Sequence, residues 1–275
     1  MSRELPIVPA RVPPPDSREP RESDGAAARA PDTVPISETF VSIQGEGKLT
    51  GVPSLFIRVS GCNLRCTWCD TPYASWKPDS AVRTIDSIVE EARAAAAKGI
   101  GHAVLTGGEP MMFAQTTELT ARLAAPVQEG GAGMHITIET AGTIIPDAGV
   151  TCHLISISPK LANSTPVNDP RDPSGAWAAR HEERRLNVPV LQRLIDEFPD
   201  RQLKFVLCSA ADVPEIDSLL ASLRNFAPSD ILIMPEGTTS PSPHRRDTAV
   251  QLCLARGWRY CHRLHLDLFG NARGT

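Results

Sequence analysis

Three cysteines within eight residues constrain this chain more than any other feature. They lie in Ser60-Gly61-Cys62-Asn63-Leu64-Arg65-Cys66-Thr67-Trp68-Cys69-Asp70-Thr71, spaced Cys-x3-Cys-x2-Cys, directly after the apolar run at 54–59. A fold that carries them must offer a strand end from which a Gly-started loop can wrap one inorganic centre. Three thiolates can bind three irons of a 4Fe–4S cube and leave the fourth iron open to a small molecule. A structural zinc needs four ligands. The nearest histidine, however, is His102, and no second Cys pair follows at ribbon spacing. A disulfide would leave an odd thiol in the loop. Cys62, Cys66 and Cys69 are therefore expected to hold a 4Fe–4S cluster.

The rest of the pattern supplies a scaffold for such a loop. Residues 36–43 and 54–59 are rich in β-branched and aromatic side chains. Residues 84–98 read as a helix, capped by Thr84, with Ile85, Ile88, Val89 and Ala92 at helical spacing and Gly99 at its end. Strands are expected at 103–105, 135–138, 154–157, 203–207 and 231–234, and helices at 112–124, 189–197, 213–223 and 244–256. A last extended segment covers 259–264, and the alternation over 264–268 reads as a final strand. Strand–helix alternation argues an α/β fold with a parallel sheet and outer helices. Roughly six units are too few for a full eight-fold barrel, so the expectation is an incomplete TIM-type barrel. Residues 161–187 break the pattern with Asn163, Ser164, Pro166, Pro170, Pro173 and Gly175, which predicts a long loop with a short helix near 176–184.

Two domains of unequal kind are expected. Residues 1–35 hold eight prolines and no aromatic residue, a composition that cannot bury enough apolar area to offset ordering entropy. They read as a disordered tail with polyproline character, and 36–275 as the catalytic domain. The net charge of −4 gives no basic footprint for nucleic acid. No stretch of about 18 apolar residues predicts a membrane span, and no apolar segment near the N-terminus reads as a secretory signal. Cys152, Cys208, Cys253 and Cys261 sit scattered in apolar surroundings and read as reduced core residues of a cytoplasmic chain.

Four further motifs fall just after predicted strands, where ligands gather in parallel barrels. Thr106-Gly107-Gly108-Glu109-Pro110 is either a plain Gly-Gly turn or a loop whose backbone approaches a ligand closely. Glu139-Thr140 is either a strand-end cap or a pair that hydrogen-bonds ribose hydroxyls. Ser158-Pro159-Lys160 suits a carboxylate or ribose, with a solvated lysine as the alternative. Met234-Pro235-Glu236-Gly237 can cover an adenine edge.

The cysteine loop resembles that of the radical S-adenosylmethionine superfamily. That resemblance implies an open iron that chelates the methionine end of S-adenosylmethionine, and a cluster electron that yields a 5′-deoxyadenosyl radical. Gly107-Gly108-Glu109 is similar to the superfamily's cradle for the methionine amino group, and Trp68 matches the aromatic position of its cysteine motif. Upstream, Glu38-Thr39-Phe40-Val41-Ser42-Ile43-Gln44-Gly45-Glu46-Gly47 leads into Gly51-Val52-Pro53-Ser54-Leu55-Phe56-Ile57-Arg58-Val59. Together with Cys69-Asp70-Thr71 this block resembles the 7-carboxy-7-deazaguanine synthase family over about residues 36–270.

The resemblance implies a ring contraction of 6-carboxy-5,6,7,8-tetrahydropterin in queuosine or other 7-deazapurine biosynthesis. A hydrogen is taken from C6, the skeleton rearranges, the hydrogen returns and ammonia is lost, so that the cofactor is regenerated. Ile43, Gln44, Gly45 and Glu46 can pair with the donor and acceptor edge of a pterin. Arg58 can fork onto the substrate carboxylate, or make a structural ion pair. Thr106 matches a substrate contact of the family. Thr71 matches the position whose hydroxyl ligates Mg2+, a hard cation that accepts a lone Thr oxygen plus waters and substrate oxygens. His265 is either a pterin contact or a structural histidine. The resemblance further implies a homodimer and a flavodoxin- or ferredoxin-type reductant, whose surface the 161–187 loop can alter. The competing readings are a glycyl-radical-enzyme activase, which shares the cysteine motif, and a non-catalytic iron–sulfur or zinc protein. The sequence leaves open whether the product feeds tRNA modification or another deazapurine.

Overall fold

The structure is a computed structural model that describes residues 32–275. Strand β1 (Thr33–Ile43) turns back into β2 (Pro53–Val59), and β3 (Ala81–Thr84) leads into α1 (Ile85–Ala96). Then follow β4 (His102–Gly107), α2 (Gln115–Ala124), β5 (His135–Thr140), β6 (Leu154–Ile157), α3 (Ala176–Arg184) and α4 (Val188–Glu197). The chain continues through β7 (Arg201–Leu207), α5 (Val213–Ala221), β8 (Ile231–Pro235), α6 (Pro243–Arg256), β9 (Arg259–Tyr260) and α7 (Leu264–Phe269). Among the described residues the strands form one sheet in the order β3-β1-β2-β4-β5-β6-β7-β8-β9. From β2 to β9 every pairing is parallel. Strands β1 and β3 add antiparallel at the β2 edge. Strand β9 pairs with β8 alone, so the sheet does not close. This is the incomplete barrel the alternation predicts.

Local chemistry explains the boundaries. The Thr84 hydroxyl accepts from Ser87 N at 3.2 Å and starts α1. The Asn187 side chain accepts from Val190 N at 3.3 Å, with a proline in the first turn of α4. Ser242 caps α6, and Gly257, in the left-handed region, ends it. The helix expected from 112 begins at Gln115, because Pro110–Met112 forms a tighter turn of its own.

Three expectations need correction. Residues 1–31 of the expected tail lie outside the described residues. Thr33–Pro35, however, pair with β3, and Val34 is buried, so the ordered chain starts before 36. Strand β3 was not expected; it is four residues long and mostly exposed, too short for an apolar pattern. Residues 264–268 form α7 rather than a strand. Five alternating residues fit either period once Leu264 and Leu268, four apart, share a helix face.

The two faces of the sheet divide core from site. Leu55, Ile57, Val59, Leu105, Ile138, Ile155, Ile157, Leu203, Phe205 and Ile233 point to the helices and form the main core. The alternate residues, among them Phe56, Arg58, Thr106, Glu139, Lys204 and Met234, line the inside of the curl. Cluster-loop and Gly-Gly segments leave the carboxyl ends of β2 and β4. The β1–β2 turn enters from the opposite end, where its backbone closes between Gln44 and Val52 at 2.8 Å. It crosses to the far side of the sheet: Lys48 N donates to Gln202 Oε1 at 2.8 Å, and Leu264 N to Gly45 O at 2.9 Å. The barrel thus has a roof of strand-end loops and a floor made by one turn.

Candidate active site

A cavity of about 510 Å³ fills the space between roof and floor. In the roof, Gly61 N donates to Ala74 O at 2.8 Å and Glu109 N to Gly61 O at 2.9 Å, which joins the cysteine loop to the Gly-Gly segment. The glycines are required by this junction. A Cβ on Gly108 would stand 1.8 Å from Gly61 O, and one on Gly107 2.2 Å from Val59 O. Their smallness serves backbone against backbone, where the sequence suggested backbone against ligand; both still line the cavity.

Cys62, Cys66 and Cys69 all face the cavity, and all seven cysteines of the chain are free. Burial pushes the Cys62 thiol up to about 12 and the Cys66 thiol up as well, with neighbouring cysteines adding to both shifts. Such thiols ionise only against compensating positive charge, which cluster irons supply. Among the described residues no group of three His, Cys, Asp or Glu side chains could hold a single metal ion. Thiolates that each bind a different corner of a cube stand farther apart than ligands of one ion. The donor set fits a 4Fe–4S cluster. Thr71 lies on the same wall, its hydroxyl 3.8 Å from Cys69 Sγ.

Trp68, Ser158 and Lys160 form another part of the wall. Lys160 Nζ donates to Ser158 O and Oγ, both at 2.8 Å, and lies 5.9 Å from the Trp68 ring centre. Thr106 donates to Glu139 Oε2 at 2.7 Å, and Gln44 Nε2 to Glu139 Oε1 at 3.3 Å. Floor, β4 and β5 are thereby tied through one carboxylate. Thr140 and Met234 also line the cavity.

Some expected residues point elsewhere. Glu109 is fully buried outside the cavity lining, and its carboxylate accepts from Thr140 Oγ1 (2.8 Å), Ala141 N (2.9 Å) and Met111 N (3.1 Å). Burial pushes its pKa up, opposed by those donors. It acts as a strut between β4 and β5. Pro159, Pro235, Glu236 and Gly237 are not in the lining either; Glu236 pairs with Arg245 at 2.9 Å, and Thr238 reaches the cavity in their place.

Arg58 lines the wall with its Nε donating to Glu38 Oε1 at 2.8 Å. Tyr73 donates to the same oxygen at 2.9 Å, and Arg273 reaches the other at 3.2 Å. Arg58 thus makes the structural ion pair along one edge, and it also faces the cavity. His265 lies on α7, so close to the floor that a Cβ on Gly45 would stand 2.0 Å from its Nδ1.

The sequence reading missed Lys204 and Arg263. Lys204 Nζ is ion-paired with Glu46 Oε2, and Arg263 Nε lies 3.3 Å from Glu46 Oε1. Burial alone would raise the Glu46 pKa, yet Lys204 and Arg263 hold it at about 2. Lys204 carried a signal, a charge at an inward position of the buried run 203–207. Arg263 carried none. Asp70, Tyr73 and the 270–275 segment, which also line the cavity, were likewise not singled out as site residues.

Residues 56–171 match the family model described as Radical SAM superfamily. A Halobacterium salinarum protein named 7-carboxy-7-deazaguanine synthase is 45% identical over 250 residues, covering 88% of this chain and 93% of that protein. A Rhodopirellula baltica protein of the same name is 44% identical, covering 92% of this chain and 93% of its own. The crystal structure of QueE from Escherichia coli superposes with a TM-score of 0.61 at 26% identity, covering 85% of this chain and 95% of that one.

Proposed function

The chain belongs to the 7-carboxy-7-deazaguanine synthase family of radical SAM enzymes, and we propose that it converts 6-carboxy-5,6,7,8-tetrahydropterin to 7-carboxy-7-deazaguanine with loss of ammonia. It is a lyase that uses a 4Fe–4S cluster and S-adenosylmethionine, as its superfamily does. The observation that carries the substrate assignment is the meeting, in one cavity, of three free cysteines, the Gly107-Gly108 junction and the Gln44–Glu46 turn. Relatives at 44–45% identity that carry the synthase name disfavour the glycyl-radical activase.

Cys62, Cys66 and Cys69 are the proposed cluster ligands, and a cluster held there would, with S-adenosylmethionine, supply the radical chemistry. The chain's own residues orient the substrate. Glu46, held ionised by Lys204 and Arg263, keeps further lone pairs for pterin N–H groups, because a carboxylate has about four acceptor sites. Gln44 presents an amide from the same turn. Arg58, fixed along one edge by Glu38, keeps terminal N–H groups for the substrate carboxylate. Thr71 would offer its hydroxyl to a Mg2+ ion, a hard cation that takes oxygen ligands. Lys160, Ser158, Thr140 and Glu139 serve the polar groups of S-adenosylmethionine, and Met234 its adenine. A homodimer, a flavodoxin- or ferredoxin-type electron donor and a cytoplasmic setting complete the proposal. All seven cysteines free of disulfides support that setting.

The test is an anaerobic assay of the reconstituted enzyme with S-adenosylmethionine, Mg2+, dithionite and the tetrahydropterin, read by mass spectrometry. Product is expected from the wild type and none from Cys66→Ala. Cleavage to 5′-deoxyadenosine without deazaguanine would sink the substrate assignment and leave the radical chemistry standing.

A further inference from the structure

Strand β1 changes face part-way along. Val34 and Ile36 are buried against the helices, and Ile36 stands opposite Val59 of β2. Strict alternation would put residues 38 and 40 on that same face. Instead the register shifts between Ile36 and Glu38, so that Glu38 stands opposite Arg58 and Phe40 opposite Phe56. Ser37 is thus an extra residue, a β-bulge, and it turns Glu38 and Phe40 to the side of Phe56 and Arg58, which line the cavity. Phe40 stacks there on Phe56 with ring centres 5.0 Å apart. The bulge is what brings a carboxylate beside the Arg58 guanidinium.

That carboxylate is shared. Glu38 Oε1 accepts from Arg58 Nε at 2.8 Å and from the Tyr73 hydroxyl at 2.9 Å, and Oε2 accepts from Arg273 Nε at 3.2 Å. Burial pushes the Tyr73 hydroxyl up to about 12, with Glu38 adding to the shift, so it stays a donor. Arg273 Nη1 donates to Asp79 Oδ2 at 3.1 Å, and Nη2 donates to Ser37 O, the carbonyl of the bulge, at 3.1 Å. The Arg273 guanidinium also lies 4.4 Å from the Tyr73 ring centre. Its side chain is 46% exposed, and an arginine so placed ordinarily loses rotamer freedom for little gain. Here each of its three guanidinium nitrogens already has a protein acceptor. Arg58 is the opposite case: among the described residues Glu38 is its one hydrogen-bond partner, and its terminal nitrogens are left for a ligand.

We propose that Arg273 is a positioning residue: through Glu38 and the Ser37 bulge it fixes the direction in which Arg58 presents its terminal N–H groups, and so sets the site's preference for a pterin that bears a carboxylate. The proposal deepens the functional reading above and rests on its assignment of Arg58 to the substrate carboxylate. Arg58 can turn only if Glu38 turns with it, and Arg273 holds Glu38 from the other oxygen. Without Arg273, Glu38 Oε2 loses its donor, the bulge carbonyl loses its clamp, and the Arg58–Glu38 pair is free to rotate as a unit. Arg273 itself makes no contact with the substrate in this account.

The test uses the full-length reconstituted enzyme with S-adenosylmethionine and no reductant, so that binding is read without turnover. Two probes are titrated: 6-carboxy-5,6,7,8-tetrahydropterin, and 5,6,7,8-tetrahydropterin, the same ring without the carboxylate. Arg273→Ala is expected to weaken binding of the carboxylated pterin about tenfold and to leave the plain pterin within about twofold, the scale of one charge-assisted hydrogen bond. Arg58→Ala loses more in the same selective way, and Arg58→Ala/Arg273→Ala loses no more than Arg58→Ala alone. Arg273→Lys keeps the charge without the fork and gives a smaller selective loss, which serves if the alanine variant folds poorly. Equal losses for the two pterins, or no loss for either, would overturn the proposal, because a residue that merely holds the C-terminal segment does not distinguish them. Additive losses in the double variant would overturn it as well. A wild type that binds neither pterin would sink the substrate assignment instead. The aim of Arg58 is then decided by a crystal structure of Arg273→Ala, in which an Arg58 guanidinium unmoved from its wild-type direction would overturn the positioning role.

Discussion

At the scale of single residues, the most consequential pairing is Lys204 with Glu46. Side chains exposed by only 8% and 14% form this ion pair inside the cavity. Removing one partner strands the other charge, which costs about 3–5 kcal/mol for a buried pair. Lys204→Met is therefore expected to lower unfolding free energy by roughly that amount at neutral pH and to raise the KM for the pterin, since Glu46 loses its aim. The sign of the pH dependence follows from the shift. Glu46 is held below its ordinary 4.5, at about 2, so its contribution is present above pH 4.5 and is lost as pH falls toward 2. The stability gap between wild type and Lys204→Met, measured by urea unfolding, should narrow over that window. Lys204→Met/Glu46→Gln should recover much of the stability and none of the substrate affinity. An equal loss in that double variant would refute the pairing argument. The sequence showed Glu46 through its Gly-flanked turn. It showed Lys204 only as an anomaly in an apolar strand, because the partner lies 158 positions away.

At the scale of elements, strands and helices were legible wherever apolar periodicity ran long enough. Strand β6 and helices α1, α4 and α6 match their patterns within two residues. The failures were short elements. Strand β3 owes its existence to pairing with residues 33–36, which no local pattern reveals. Helix α7 reads as a strand locally and becomes a helix because Leu266 finds the core while Gly270 ends the turn. That misreading matters, since α7 sets His265 against Gly45. Gly45→Ala would place a Cβ 2.0 Å from His265 Nδ1. The imidazole must swing away, so Gly45→Ala is expected to raise the KM for the pterin several-fold with little effect on S-adenosylmethionine binding. If the His265 side chain is the obstacle, Gly45→Ala/His265→Gly should be no worse than His265→Gly alone. Additive losses would place the damage in the backbone of the turn instead.

At the scale of the whole molecule, the partial barrel builds its cavity from both of its ends. The sequence argument expected ligands at the carboxyl ends of strands, and the cluster loop, the Gly-Gly segment and Ser158–Lys160 are there. The β1–β2 turn is the exception. It enters from the amino-terminal end and bridges an open sheet that backbone pairing leaves unclosed. Its bridge is specific: Gln202 accepts from Lys48 N at 2.8 Å and donates to Ser156 Oγ at 2.8 Å, while Lys48 Nζ reaches Asp200 at 3.0 Å. Gln202 is 3% exposed, so Gln202→Ala leaves a buried hydroxyl and an amide without partners, at a cost of about 1–3 kcal/mol. The floor should loosen while the roof stays intact. Hydrogen exchange is expected to accelerate at the amides of residues 47–52 and to remain unchanged over 60–70 and 106–110. Catalysis should show the same division: a higher KM for the pterin, with an unaltered Kd for S-adenosylmethionine and an unaltered iron content. A matching loss of cofactor affinity or of iron would mean that floor and roof form one cooperative unit, so that loosening the β1–β2 turn reaches the strand-end loops as well.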